Sequence, residues 1–175
     1  LFRLVGSEMC IRDRYRENIN IKIIAITGSC GKTTLKELLG NSLKQLSKVG
    51  ISPKSYNNRY GVPLSLFNLD QKNDYGVLEI GMDKKGEIDY LSKIVKPDVS
   101  VITNVNYAHA KNFKNLKQIA LAKSEIIYNT KVNGFIVLNS DDNFFTLHKN
   151  LANKRNLKIL SFGIDNPNTN IKLIS

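Results

Sequence analysis

A chain of 175 residues with 42% hydrophobic and 23% charged residues has the make-up of one globular domain with a real core. No apolar run approaches the roughly 18 residues of a membrane span, and two cysteines, Cys10 and Cys30, are too few for a disulfide framework, which favours a reducing, cytoplasmic setting. The formal charge of +11 is scattered among asparagines and isoleucines without a basic block, which argues against nucleic acid as a partner and suits polyanionic small molecules such as nucleotides.

The first sixteen residues, LFRLVGSEMCIRDRYR, lack an initiating methionine, a clear period and the features of a signal peptide. VGSEMCIRDR looks like translated sequencing adaptor. Residues 1–16 are therefore expected to be a non-native or disordered leader, and residues 17–175 a domain truncated at its C-terminal end. Residues 21–27 form a β-branched run ending at Gly28, as a buried strand does. Leu35, Leu38, Leu39, Leu43 and Leu46 give residues 33–47 a helical period. Residues 50–55 read as extended, and residues 63–69 as a short helix with Pro63 in its first turn. A strand at 75–80 precedes a helix at 87–95, which Pro97 stops before a strand at 99–103. A helix at 116–128, a strand at 135–138, a helix at 141–151 and a strand at 157–162 complete the pattern. Such alternation predicts an α/β fold with a mostly parallel sheet flanked by helices, whose ligands sit at the carboxyl ends of strands.

Gly28, Ser29, Cys30, Gly31, Lys32, Thr33 and Thr34 follow the first strand and open a helix. Glycines let backbone N–H groups wrap a phosphate at a helix N-terminus. Lys32 suits the terminal phosphates and the Thr33 hydroxyl suits Mg²⁺. The usual phosphate-loop pattern has a glycine five positions before Gly31, but this chain has Ile26. Glu79 and His109 lie where later strands end, on the same predicted edge. Taken singly, Glu79 reads as a partly buried carboxylate paired with a lysine, and His109 as a satisfied structural histidine. Lys123 reads by default as solvated, and Asn57 and Asn58 as turn formers.

Taken together, these stretches resemble the central ATP-binding domain of the Mur ligases. TGSCGKTT is similar to the family's T-G-x-x-G-K-[ST] loop, which lacks the earlier glycine. SYNNRYGVPLSLFNL resembles its N-N-x-x-G-V-P-L-x-L segment, and VLEIGMDKKGEIDYL its E-x-G-x-x-x-x-G-E-I stretch. AHAKNF and AKSEI resemble its A-H-x-x-x-F and A-K-x-E-I segments.

The resemblance implies a P-loop NTPase-like domain of an ATP- and Mg²⁺-dependent ligase in peptidoglycan precursor synthesis. It points to the branch that adds D-Ala-D-Ala to a UDP-MurNAc-tripeptide through an acyl phosphate. By motif, Lys32 would hold the β- and γ-phosphates, Thr33 and Glu79 a first magnesium, and His109 a second. Lys123 matches a lysine that is carbamylated in related ligases, where it bridges to the second ion. Asn57 and Asn58 would lie near substrate and γ-phosphate. Nothing resembles the family's UDP-binding and amino-substrate domains, so the chain is expected to bind nucleotide weakly and not to ligate alone. A MurE-type or folylpolyglutamate synthase-like ligase, a P-loop NTPase without ligase chemistry, and a non-catalytic nucleotide- or RNA-binding fragment stand as alternatives.

Overall fold

KIIAIT, at Lys22–Thr27, forms strand β1, and Ile23, Ile24, Ala25 and Ile26 are all buried, so the strand is covered on both faces. The computed structural model describes residues 15–16, 18–107 and 112–172. Around β1 the further strands are β2 (Val49–Ile51), β3 (Tyr75–Glu79), β4 (Val99–Ile102), β5 (Phe135–Asn139), β6 (Lys158–Gly163) and β7 (Ile171–Lys172). They form one parallel sheet in the order β2-β3-β1-β4-β5-β6-β7.

The helices are α1 (Lys32–Leu43), α2 (Gly61–Phe67), α3 (Glu87–Val95), α4 (Leu116–Lys123), α5 (Glu125–Asn129) and α6 (Phe145–Lys154). The period-2 alternation of β1 decides what each side chain meets. Ile23 and Ala25 enter the larger core with Val62 and Leu66 of α2, Ile88 and Leu91 of α3, and Ile119 and Ile126 of α4 and α5. Ile24 and Ile26 face the other way, where Leu35, Leu39 and Leu43 of α1 pack on them. Helix α1 thus has a face to itself, opposite the remaining helices.

Several expectations need correction. The helix expected at 33–47 ends at Leu43 and leaves Leu46 exposed, and the helix expected at 141–151 runs over Phe145–Lys154. The extended run expected at 50–55 pairs only over Val49–Ile51 and then turns through Lys54, whose φ is +47°. The helix expected at 116–128 divides at Ser124, where Ser124 Oγ donates to Leu121 O and Ile127 N donates to Ser124 O three residues back. Strand β7, two exposed residues, carries too short a pattern to be foreseen.

Tyr15 and Arg16, assigned by sequence to the leader, pack on the domain, while residues 1–14 lie outside the described residues. The Tyr15 ring sits 4.9 Å from that of Phe67, and its hydroxyl donates to Leu69 O. Arg16 is buried because it answers carbonyls at the end of α3: its guanidinium donates to Val95 O at 2.6 Å and Lys96 O at 3.1 Å. It also pairs with Asp98 at 3.1 Å. Asp98 in turn accepts from Ile23 N at 2.8 Å and from Lys131 at 2.6 Å, joining β1, β4 and the β5 approach at one end of the sheet. Asp98→Ala would strand the buried guanidinium and is expected to lower stability by about 2–4 kcal/mol, read as a lower urea midpoint.

Candidate functional site

The opposite end of the sheet gathers the carboxyl ends of β1, β3 and β4. Ile26 pairs in register with Glu79 on one side and Val101 on the other, so it is a wholly buried strand residue. The phosphate loop therefore begins only at Gly28. Gly28 holds φ +149°, and a Cβ there would lie 1.8 Å from Thr103 Oγ1. Gly31 holds φ +78° and is the N-cap of α1.

The segment leaving β4 pins the loop. Ser29 N donates to Asn104 O and Cys30 N to Asn104 Oδ1, both at 3.0 Å, while Thr103 Oγ1 donates to Cys30 O at 2.7 Å. Ser29 Oγ donates to Asn106 O at 2.9 Å. These TNVN contacts were absent from the sequence reading, and only the cluster of short polar residues after a strand hinted at them. Lys32 folds back over the loop, donating to Gly28 O at 3.0 Å and Ser29 O at 3.2 Å. Its ammonium thus stands over the glycine turn, where a phosphate would meet it.

Glu79 is 1% exposed at the end of β3. Thr33 Oγ1 donates to its Oε2 and Asn57 Nδ2 to its Oε1, each at 2.7 Å. Its hydrogen-bond partners are thus a hydroxyl and an amide, where the sequence taken singly suggested a lysine. The Thr33 hydroxyl and Glu79 carboxylate are two hard oxygen donors side by side at the start of α1. That chemistry fits Mg²⁺, which needs few protein ligands because it keeps several waters. Among the described residues no cluster of three or more His, Cys, Asp or Glu could hold a metal ion.

Asn58 works differently from Asn57: its Oδ1 accepts from Tyr60 N at 3.1 Å and Gly61 N at 2.9 Å, fixing the turn into α2. His109 lies outside the described residues. Beside the loop opens a cleft of about 400 Å³, with Lys32, Asn57, Arg59, Met82, Glu87 and Tyr90 in its walls.

Lys123 departs from the solvated lysine that its helix suggested. It is 2% exposed, and burial together with the nearby Lys32 charge brings its pKa down to about 7. At neutral pH much of it is therefore a free amine, the form that can react with carbon dioxide. His148 is buried near it, its Nε2 3.2 Å from Ala120 O, and burial holds its pKa below the usual value. Two residues on from Lys123, the buried Glu125 accepts from Gly86 N at 2.9 Å and Asp89 N at 3.0 Å, capping α3 from another helix. The A-K-x-E-I pattern contained Glu125, but local spacing could not show which helix it caps.

A parallel sheet whose central strand runs through a glycine loop into a helix, with a buried carboxylate at the next strand end, defines a nucleotide-binding domain of the P-loop kind. The chain belongs to the Mur ligase middle domain family, whose pattern matches residues 26–174. It is 40% identical over 149 residues to the UDP-N-acetylmuramoyl-tripeptide–D-alanyl-D-alanine ligase of Buchnera aphidicola, a match covering 85% of this chain and 32% of that one. The solved UDP-N-acetylmuramoylalanyl-D-glutamyl-2,6-diaminopimelate–D-alanyl-D-alanyl ligase of Acinetobacter baumannii superposes with a TM-score of 0.80 at 38% identity, over 89% of this chain and 34% of that one. The MurF ligase of Thermotoga maritima in complex with ADP gives 0.82 at 35% identity, over 93% and 37%. The chain thus spans about a third of the length of these relatives.

The Lys123 shift has a testable sign. Between pH 7 and 10.5 the unfolded chain keeps a proton that the native chain has lost, so stability rises with pH through that window. Below it both states are charged and the burial penalty is present in full. Lys123→Met is therefore expected to be more stable than wild type at pH 6, with the difference shrinking towards pH 10, as read by thermal melts across that range.

Proposed function

We propose that this chain is the ATP-binding part of an ATP-dependent amide ligase that joins D-Ala-D-Ala to a UDP-MurNAc-tripeptide, in the cytoplasm where those precursors are made. The observation that carries the proposal is the Thr33–Glu79–Asn57 network, set between the phosphate loop and the adjoining cleft. The similarity to ligases of that name supports it.

In this reading the backbone N–H groups of residues 28–34 and the Lys32 ammonium hold the phosphates of ATP, and Thr33 and Glu79 hold Mg²⁺. Lys32 leaves its two loop carbonyls and turns to the β- and γ-phosphates, an exchange of neutral acceptors for charged ones. The peptide's terminal carboxylate oxygen, lying in the cleft, attacks the γ-phosphorus; the bond to the β-phosphate oxygen breaks and ADP leaves. The amine of D-Ala-D-Ala then attacks the acyl phosphate carbon, releasing phosphate, and the amine's proton passes to solvent or a base. Lys32 opposes the charge gathering on the transferring group. Magnesium, when bound, supplies further charge neutralisation at the phosphate oxygens. Asn57 keeps Glu79 oriented, and Asn58 keeps the turn carrying Asn57 in place.

Lys123, as a carbamate, and His109 are assigned to a second magnesium on the resemblance of their motifs. Groups that bind the UDP moiety and the incoming dipeptide belong to the remaining two thirds of such ligases. The chain by itself is accordingly expected to bind nucleotide without forming an amide.

Titration of the chain with ATP and Mg²⁺ tests the loop. Lys32→Ala should weaken binding about tenfold or more, the worth of one charge-assisted hydrogen bond of roughly 1.5–3 kcal/mol. Unchanged affinity would sink the loop assignment.

A further inference from the structure

Beyond the phosphate loop, the cleft beside it carries a cation that the mechanism does not use. Arg59 stands in its wall, on the turn between Asn58 and α2. The turn is held by Asn58 Oδ1, which engages the N–H groups of Tyr60 and Gly61, so Arg59 projects from a fixed backbone. Its guanidinium lies over the Tyr60 ring, 5.6 Å from the ring centre. Among the described residues Arg59 is in no ion pair, whereas Arg16 is tied to Asp98.

The same cleft contains Lys32 and Asn57, which belong to the phosphate-transfer end, and Asp83 and Glu87, which make another part of its wall acidic. A volume of about 400 Å³ suits a ligand far larger than the single carboxylate to be activated. A guanidinium in the wall of such a space favours a ligand that can place a carboxylate there, and one orientation of it.

The inference rests on the proposed ligase function. The Acinetobacter baumannii ligase is named for a substrate ending in D-glutamyl-2,6-diaminopimelate. Such a peptide has, besides the carboxylate that is activated, a glutamyl carboxylate and a second diaminopimelyl carboxylate. We infer that Arg59 is a specificity-determining residue for the acyl donor, binding one of these non-reacting carboxylates through its fork of N–H donors. Arginine suits this role because its two parallel N–H groups match the two oxygens of a carboxylate. Lysine offers only a point charge.

Steady-state kinetics on the intact ligase provide the test. Arg59→Met is expected to raise KM for the UDP-MurNAc-tripeptide roughly 10- to 100-fold, with a smaller effect on kcat and little on KM for ATP. Arg59→Lys should fall between. Tripeptides amidated at one non-reacting carboxylate at a time identify the partner. One of them should show the same rise in KM with wild type and no added rise with Arg59→Met. Normal wild-type ligation with an unchanged KM in Arg59→Met, or an equal penalty for every amidated peptide in both enzymes, overturns the Arg59 assignment alone. Absence of wild-type ligation with the tripeptide and D-Ala-D-Ala overturns the ligase function and this assignment with it.

Discussion

A carboxylate at 1% exposure, Glu79, is the constraint around which the site is built. Removing such a group from water costs on the order of several kcal/mol unless hydrogen bonds replace the lost hydration. Thr33 and Asn57 supply those bonds from opposite sides, one from the first turn of α1 and one from the turn before α2. Satisfying Glu79 therefore brings together three pieces of chain far apart in sequence. The glycine loop, the end of β3 and the cleft wall acquire their mutual placement from it. The same bonds hold the Thr33 hydroxyl and the Glu79 carboxylate side by side, as the two oxygen donors that would hold a magnesium ion.

The sheet makes that meeting geometrically possible. All pairings among the described strands are parallel, so every strand of this set ends on the same edge. Strand β1 lies between β3 and β4, and the loop that follows it is bounded by Glu79 on one side and by Thr103 and Asn104 on the other. Close approach of Thr103 to the backbone at Gly28 leaves no room for a side chain there. The missing earlier glycine follows from the same packing: Ile26 is core, covered by α1, and the chain has not yet left the sheet.

Buried charge recurs at this end of the molecule with different solutions. Lys36, wholly buried, donates to Ser52 O at 2.7 Å and thereby fastens α1 to the end of β2. Glu125 takes the N–H groups that open α3. Lys123 has no hydrogen bond to another described residue, and its neighbour Lys32 carries the same sign. Losing the proton relieves it.

Much of this was legible beforehand because it is local. The β-branched run of β1, the helix stop at Pro97 and the glycines of the loop all act through their immediate neighbours and lie where the pattern placed them, whereas the leucine period found α1 but ran past its end at Leu43. Motifs separated along the chain also carried the family. Partnership over distance was hidden. Sequence offered Asn57 and Asn58 as a pair, yet one orients Glu79 while the other caps a turn, because only one of them faces the sheet edge. Lys123 read as solvated until the packing of α4 buried it, and Arg16 read as leader until the carbonyls ending α3 claimed it. The alternation of strands and helices and the phosphate-binding chemistry of the loop were readable from residue order alone, since both depend on backbone preferences and short spacings. Which polar groups are dry, which of them meet, and that Arg59 shares a cleft with Lys32 emerge with the packing, because desolvation and proximity are properties of the folded chain.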